Sequence, residues 1–123
     1  MGLDMYFGRK EKGSTSINEV AYWRKANHIH NWFVQKVQNG VDECQESLVT
    51  REQMEELLAE CKAVVENPSD AAEHLPTQSG FFFGGTEYDE YYMEDIKNTI
   101  EALERELAYP VDEGTKYYYQ SSW

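Results

Sequence analysis

Residues 16–40 read SINEVAYWRKANHIHNWFVQKVQNG, and the period assigned to them sets the fold. Tyr22, Ala26, Ile29, Phe33 and Val37 recur at spacings of four, three, four and four, which puts their side chains on one face of an α-helix. Trp23 and Trp32 widen that stripe. Ser16 and Glu19 stand in the S-x-x-E arrangement of a capping box, where the serine accepts from an orphan amide of the first turn and the glutamate reaches back to the serine amide. The pattern predicts a helix over residues 17–39, stopped by Gly40.

Toward the N-terminus, MGLDMYFG alternates Leu3, Met5 and Phe7 to one face and predicts a short strand. RKEKGSTS follows as a solvated turn. Toward the C-terminus, Thr50-Arg51-Glu52-Gln53 repeats the capping logic, and Met54, Leu57, Leu58, Cys61, Val64 and Val65 predict a helix over residues 51–66, closed by Pro68. Met93, Ile96, Ile100, Leu103 and Leu107 predict a third over residues 88–108, with Pro110 beyond it. Between them the block LPTQSGFFFGGTEYDEYY, residues 75–92, holds Phe81, Phe82 and Phe83, which suit a short strand. The tail TKYYYQSSW is β-prone and suited to pair with the first strand. These elements predict an α+β fold in one domain over residues 1–123, with three amphipathic helices packed with a small sheet formed by the chain ends.

Charge narrows the function classes. The chain carries 23 Asp/Glu against 11 Lys/Arg, a formal net charge of −12, which disfavours direct binding of nucleic acid. Residues 1–40 hold six Lys/Arg and three Asp/Glu, whereas residues 41–123 hold five and twenty. A bound anion is therefore expected near the first helix, and a cationic partner elsewhere. No apolar run approaches a membrane span. Two cysteines, Cys44 and Cys61, with no secretory leader predict a reducing cytoplasm.

His28 and His30 share one predicted helix, but residues two apart point about 200° from each other, so the pair is rejected as a metal site. Cys44, Cys61 and His74 have no ligand spacing, and neither a metal nor a cofactor is expected. Arg24 and His28 are one helical turn apart, beside Asn27, Asn31 and Gln35. Such a basic, amide-rich face next to two tryptophans suits phosphate and base recognition. The competing reading is a solvated helix face with an aromatic rim. Thr77-Gln78-Ser79-Gly80 adds hydroxyls, an amide and a permissive backbone just before the phenylalanines, without any Gly-rich phosphate-loop signature. Asp89 and Glu94 are candidates for an acid and a base, yet a charged helix N-terminus explains them equally well. Enzyme is the minority reading.

The blocks MGLDMY, EVAYWRKANHIHNWFV, LPTQSGFFFGGTEYDEYYMED and YYYQSSW resemble those of a family of small bacteriophage- and prophage-encoded proteins of unestablished function, some of which carry a phosphoglycerate kinase label. The kinase label is incompatible with a single small domain lacking two substrate lobes and a phosphate loop. The resemblance implies accessory phage biology in the host cytoplasm. It carries the family's motif positions onto Trp23, Arg24, Lys25, Asn27, His28, Gln78, Phe82, Tyr88 and Tyr92, a mix of rings, cations and amides suited to a small ligand. The expected function is a counter-defence protein that binds and sequesters a nucleotide-derived host signal without catalysis. The alternative is an acidic, nucleic-acid-mimicking inhibitor of a host defence nuclease such as a CRISPR or restriction effector. Self-association stays open.

Overall fold

The computed structural model describes residues 2–80, 84–108 and 114–123. Four strands and four helices follow in the order β1 (Asp4–Lys10), β2 (Asn18–Arg24), α1 (Asn27–Lys36), β3 (Ser47–Val49), α2 (Arg51–Glu66), α3 (Ala71–His74), α4 (Glu90–Leu107) and β4 (Lys116–Ser122), with a 3-10 turn at Pro68–Asp70. The class is α+β, as expected. The sheet is antiparallel with strand order β2-β1-β4-β3, so the tail pairs with the first strand along its whole length, from Asp4 opposite Ser122 to Lys10 opposite Lys116.

The expected helix over residues 17–39 is corrected. Its first part is strand β2, paired with β1 from Asp4↔Arg24 to Arg9↔Asn18, and only Asn27–Lys36 is helical. Ser16 therefore caps no helix; its amide donates to the Ser14 hydroxyl at 3.2 Å. Of the apparent stripe, Tyr22 faces outward at 48% exposure. Tyr22 opposes the exposed Tyr6 on β1; further on, the register shifts between Phe7 and Gly8 so that Ala21 opposes Phe7, Glu19 opposes Gly8, and Val20 is the extra residue of a bulge. With Val20 and Trp23 both buried, a bulged strand acquires a spacing of three that runs in phase with the helix after it.

The other helices form for the reasons read from the chain. Thr50 caps α2 reciprocally: its hydroxyl accepts from the Gln53 amide at 3.1 Å, and the Gln53 side chain accepts from the Thr50 amide at 2.9 Å. Asp89 caps α4 by accepting from the Tyr92 amide at 3.0 Å, so α4 begins at Glu90 and not at Tyr88. Met54, Leu57, Cys61 and Val64 of α2 are buried in one core with Ile96 and Leu103 of α4, while Leu58, Met93 and Ile100 pack at its margin. Val65, expected inside, is 39% exposed.

One sheet face meets the helices. Phe33 of α1 stacks on Tyr119 with ring centroids 3.9 Å apart and an interplanar angle of 5°, and Phe7 lies 5.8 Å from Tyr117. At the outer edge of β2, Arg105 of α4 donates to the Val20 carbonyl at 3.2 Å. Arg9, on the inward side of β1, pairs with Glu106 of α4, which also accepts from the Tyr117 hydroxyl at 3.0 Å.

Candidate functional site

The chain leaves β2 and enters α1 through Lys25 and Ala26. Lys25 adopts a φ of 56°, in the left-handed region, at a cost of roughly 1–2 kcal/mol for a residue with a Cβ. Its amide donates to the Leu3 carbonyl at 2.7 Å. Two glycines in positive φ let its side chain pass: a Cβ on Gly84 would stand 3.1 Å from the Lys25 Cβ, and one on Gly2 would stand 3.2 Å from its Cε.

Asn27, 1% exposed, opens α1 and holds both arms of the loop over residues 77–86. Its Oδ1 accepts from the Gln78 amide at 2.9 Å and its Nδ2 donates to the Gly85 carbonyl at 2.8 Å. Nearby, the Thr77 hydroxyl donates to the Thr86 carbonyl at 2.9 Å and the Thr77 amide donates to the Tyr88 hydroxyl at 3.2 Å. Residues 77–78 and 85–86 are thus drawn together. The expected strand at Phe81–Phe83, and with it Phe82 as a stacking residue, lies outside the described residues.

Close by, Tyr92 of α4 donates to the Leu75 carbonyl at 2.7 Å and its ring lies on His28 with centroids 4.1 Å apart. Tyr88 meets Tyr92 edge-on at 5.0 Å. Burial lowers the His28 imidazole to about 4, against opposing effects of a hydrogen bond with the Tyr92 backbone and the Asp89 charge, so the ring is neutral at physiological pH.

A cleft of about 510 Å³ opens at this junction. Its buried lining is Trp23, Asn27, His28 and Tyr92, and its exposed lining includes Arg24, Lys25, Tyr22 and Tyr91. Tyr91 is 70% exposed. Four carboxylates, Glu87, Asp89, Glu94 and Asp95, share the cleft with the two cations. Desolvation, reinforced by the Glu94 and Asp89 charges, raises Asp95 to about 6.

Six of the sequence-predicted site residues, Trp23, Arg24, Lys25, Asn27, His28 and Tyr92, line this one cleft. Arg24 and His28 reach it from a strand end and a helix start, not from successive turns of one helix. Trp23 is chiefly a core residue, its indole donating to the Thr99 hydroxyl at 2.8 Å. Gln78 borders a second cavity of about 480 Å³ with His30, Asn31, Gln35, Asp42 and Trp123. There His30 lies between the Tyr119 hydroxyl at 2.6 Å and the Asp42 carboxylate at 2.9 Å. Tyr88 braces Thr77 and Tyr92. Tyr22, Tyr91, Asp95 and Asn98 were missed in the sequence. The last three recur at spacings of four and three, a signal for one polar face of α4 beside its apolar stripe.

The arrangement offers forked and point-charge donors for an anionic group, two accessible rings for stacking, and carboxylate acceptors for hydroxyl or amino groups. Among the described residues no group of three or more His, Cys, Asp or Glu is set to hold a metal ion, and no described helix is long and apolar enough to cross a membrane. Compared with protein-family models, with curated proteins and with solved structures, the chain matches none.

Proposed function

We propose that this chain is a phage-type counter-defence protein that binds a small nucleotide-derived host signal in the cleft and sequesters it without chemistry. The observation carrying the reading is the convergence of Arg24 and Lys25 with Tyr22 and Tyr91 on one cleft of about 510 Å³, a volume within the range of small-molecule sites, roughly 300–1,000 Å³. The cations serve a phosphate and the rings serve a base. The four carboxylates narrow the choice, because they repel a polyphosphate and accept from sugar hydroxyls and base amino groups. ADP-ribose-type and cyclic nucleotides, with few charges per donor, fit that balance better than a nucleoside triphosphate.

Titration calorimetry of the whole chain against ADP-ribose, cyclic dinucleotides and ATP tests the proposal. Binding in the micromolar range or tighter to one of the first two, with the ligand recovered unchanged, is expected. No binding tighter than about 1 mM, a free energy of only ~4 kcal/mol, removes it.

A second reading draws on the exposed carboxylates of α2 and α4, among them Glu52, Glu55, Glu56, Glu101 and Glu104. They suit an acidic inhibitor occupying the basic channel of a host defence nuclease. A salt-sensitive complex with such a nuclease, unaffected by changes at Arg24 and Tyr91, would favour this reading over the first.

A further inference from the structure

His28 and Trp32 stand four residues apart on α1, so their side chains share one helix face. Together with Leu75 and Pro76 they line a cavity of about 170 Å³. The wall opposite the helix is fixed, because the Leu75 amide donates to the Ala71 carbonyl at 2.8 Å and its carbonyl accepts from the Tyr92 hydroxyl at 2.7 Å. The helix wall holds two unsatisfied groups. His28 and Trp32 are 3% and 5% exposed, and neither His28 Nε2 nor Trp32 Nε1 has a hydrogen-bond partner among the described residues. The other two indoles are satisfied, Trp23 by the Thr99 hydroxyl at 2.8 Å and Trp123 by the Asp42 carboxylate at 3.1 Å. Buried polar groups are as a rule paired, so two that line one cavity on adjacent turns point to a ligand that pairs them.

The two nitrogens ask for opposite partners. An indole N–H only donates. The bond between His28 and the Tyr92 backbone favours the protonated ring, so the ring donates there, and with Nε2 unpartnered the donor is Nδ1. Nε2 then carries the lone pair and needs a donor. Side chains one turn apart have Cβ atoms about 5–6 Å from each other, a gap that one oxygen about 3 Å from each nitrogen can bridge. A carboxylate or carbonyl only accepts and would set its lone pair against Nε2. An ammonium only donates and would leave the indole unpaired. A hydroxyl does both through one atom. Lys36 also lines the cavity but is exposed, so its charge stays in water and makes no demand on the buried end. We propose that this cavity binds a small neutral alcohol or phenol, whose hydroxyl accepts from Trp32 Nε1 and donates to His28 Nε2 while its apolar body lies against Leu75 and Pro76. The volume suits such a molecule, since a cavity of roughly 150 Å³ holds benzene. Among the described residues this cavity shares only His28 with the cleft, so it is tested through Trp32 independently of nucleotide binding.

Phenol and toluene, alike in shape and different in the hydroxyl, are the probes. Each is titrated into the full chain and followed by calorimetry and by the indole N–H resonances. Phenol should bind roughly tenfold more tightly than toluene. It should also shift the Trp32 resonance and leave those of Trp23 and Trp123 in place. Trp32→Phe keeps a ring and removes the donor, so the preference for phenol should fall away while toluene still binds. Circular dichroism reports the fold of that variant, and should it fail to fold, the two probes on the unaltered chain decide by affinity and by the Trp32 resonance. No phenol binding below about 10 mM, equal affinity for the two probes, or a Trp32 resonance indifferent to phenol overturns the proposal. So does a preference for phenol that survives in Trp32→Phe.

Discussion

Asn27 donates its side-chain amide to the carbonyl of Gly85, 58 residues along the chain, at 2.8 Å. The same amide accepts from Gln78 at 2.9 Å. An N–H and a C=O thus confront its two ends, and a single orientation of the carboxamide serves both. The first turn of α1 is in this way tied to both arms of the loop that borders the cleft.

Replacing Asn27 by Asp should separate these two bonds. The remaining oxygens accept from Gln78, but one of them now faces the Gly85 carbonyl, and a buried charge replaces a satisfied amide. Local destabilisation of about 1–3 kcal/mol is expected, read as faster hydrogen exchange at the Gln78 amide and faster proteolysis within residues 77–86. Asn27→Ala should loosen the same segment without the repulsion. Unchanged exchange in both variants would show that the segment is held elsewhere.

The seam between α2 and α4 should dominate stability. Leu57 and Leu103 are each 1% exposed, and truncating either to Ala should cost about 2–5 kcal/mol through lost transfer and an unfilled cavity. Val65→Ala, on the exposed side of the same helix, should change the melting temperature little. Equal effects at Leu57 and Val65 would contradict the packing.

Two cleft groups titrate with opposite consequences. His28 is lowered to about 4, so the unfolded chain binds its proton first, and the His28 contribution is present above pH ~6.5 and lost as pH falls toward 4. Asp95 is raised to about 6, so the folded chain binds its proton first, and its contribution is present below pH ~4 and lost as pH rises through 6. The two slopes oppose each other over nearly the same window. Asp95→Asn should therefore stabilise the protein above pH 6 and expose the His28 slope, with stability rising from pH 4 to 6.5 in urea titrations. A slope of the other sign in that variant would refute the assignment.

Lys25 sets a trade between stability and binding. Lys25→Gly relieves a left-handed residue but gains chain entropy in the unfolded state, so the melting point should move by no more than the equivalent of about 1 kcal/mol. Ligand affinity should fall with the lost cation. Gly84→Ala, at a φ of 82° and 3.1 Å from the Lys25 Cβ, should lower both stability and affinity. Full affinity in both variants would remove Lys25 from the site.

Helices α2 and α4 and the strand character of β1 and of the tail were legible in the chain, because each rests on information local to it. Thr50 and Gln53 satisfy each other's amides within one turn, the apolar residues of α2 and α4 keep a helical period, and alternation marks β1. Residues 17–26 were not legible as a strand. The helical spacing read from Tyr22 to Val37 runs across a boundary between strand and helix at Lys25, and that boundary is set by the pairing of β2 with β1, from Asp4↔Arg24 to Arg9↔Asn18. The cleft divides in the same way. Arg24, Asn27 and His28 were grouped as one helical face, and Lys25 entered through the family resemblance; they share the cleft because they flank the junction of β2 and α1. Tyr91 and Asp95 join them through the packing of α4 against β2, where Trp23 reaches Thr99 and Arg105 reaches Val20. Periodicity reports which residues of one element share a face, but which faces meet depends on contacts between residues 76 and 85 positions apart, and those arise only when the core closes.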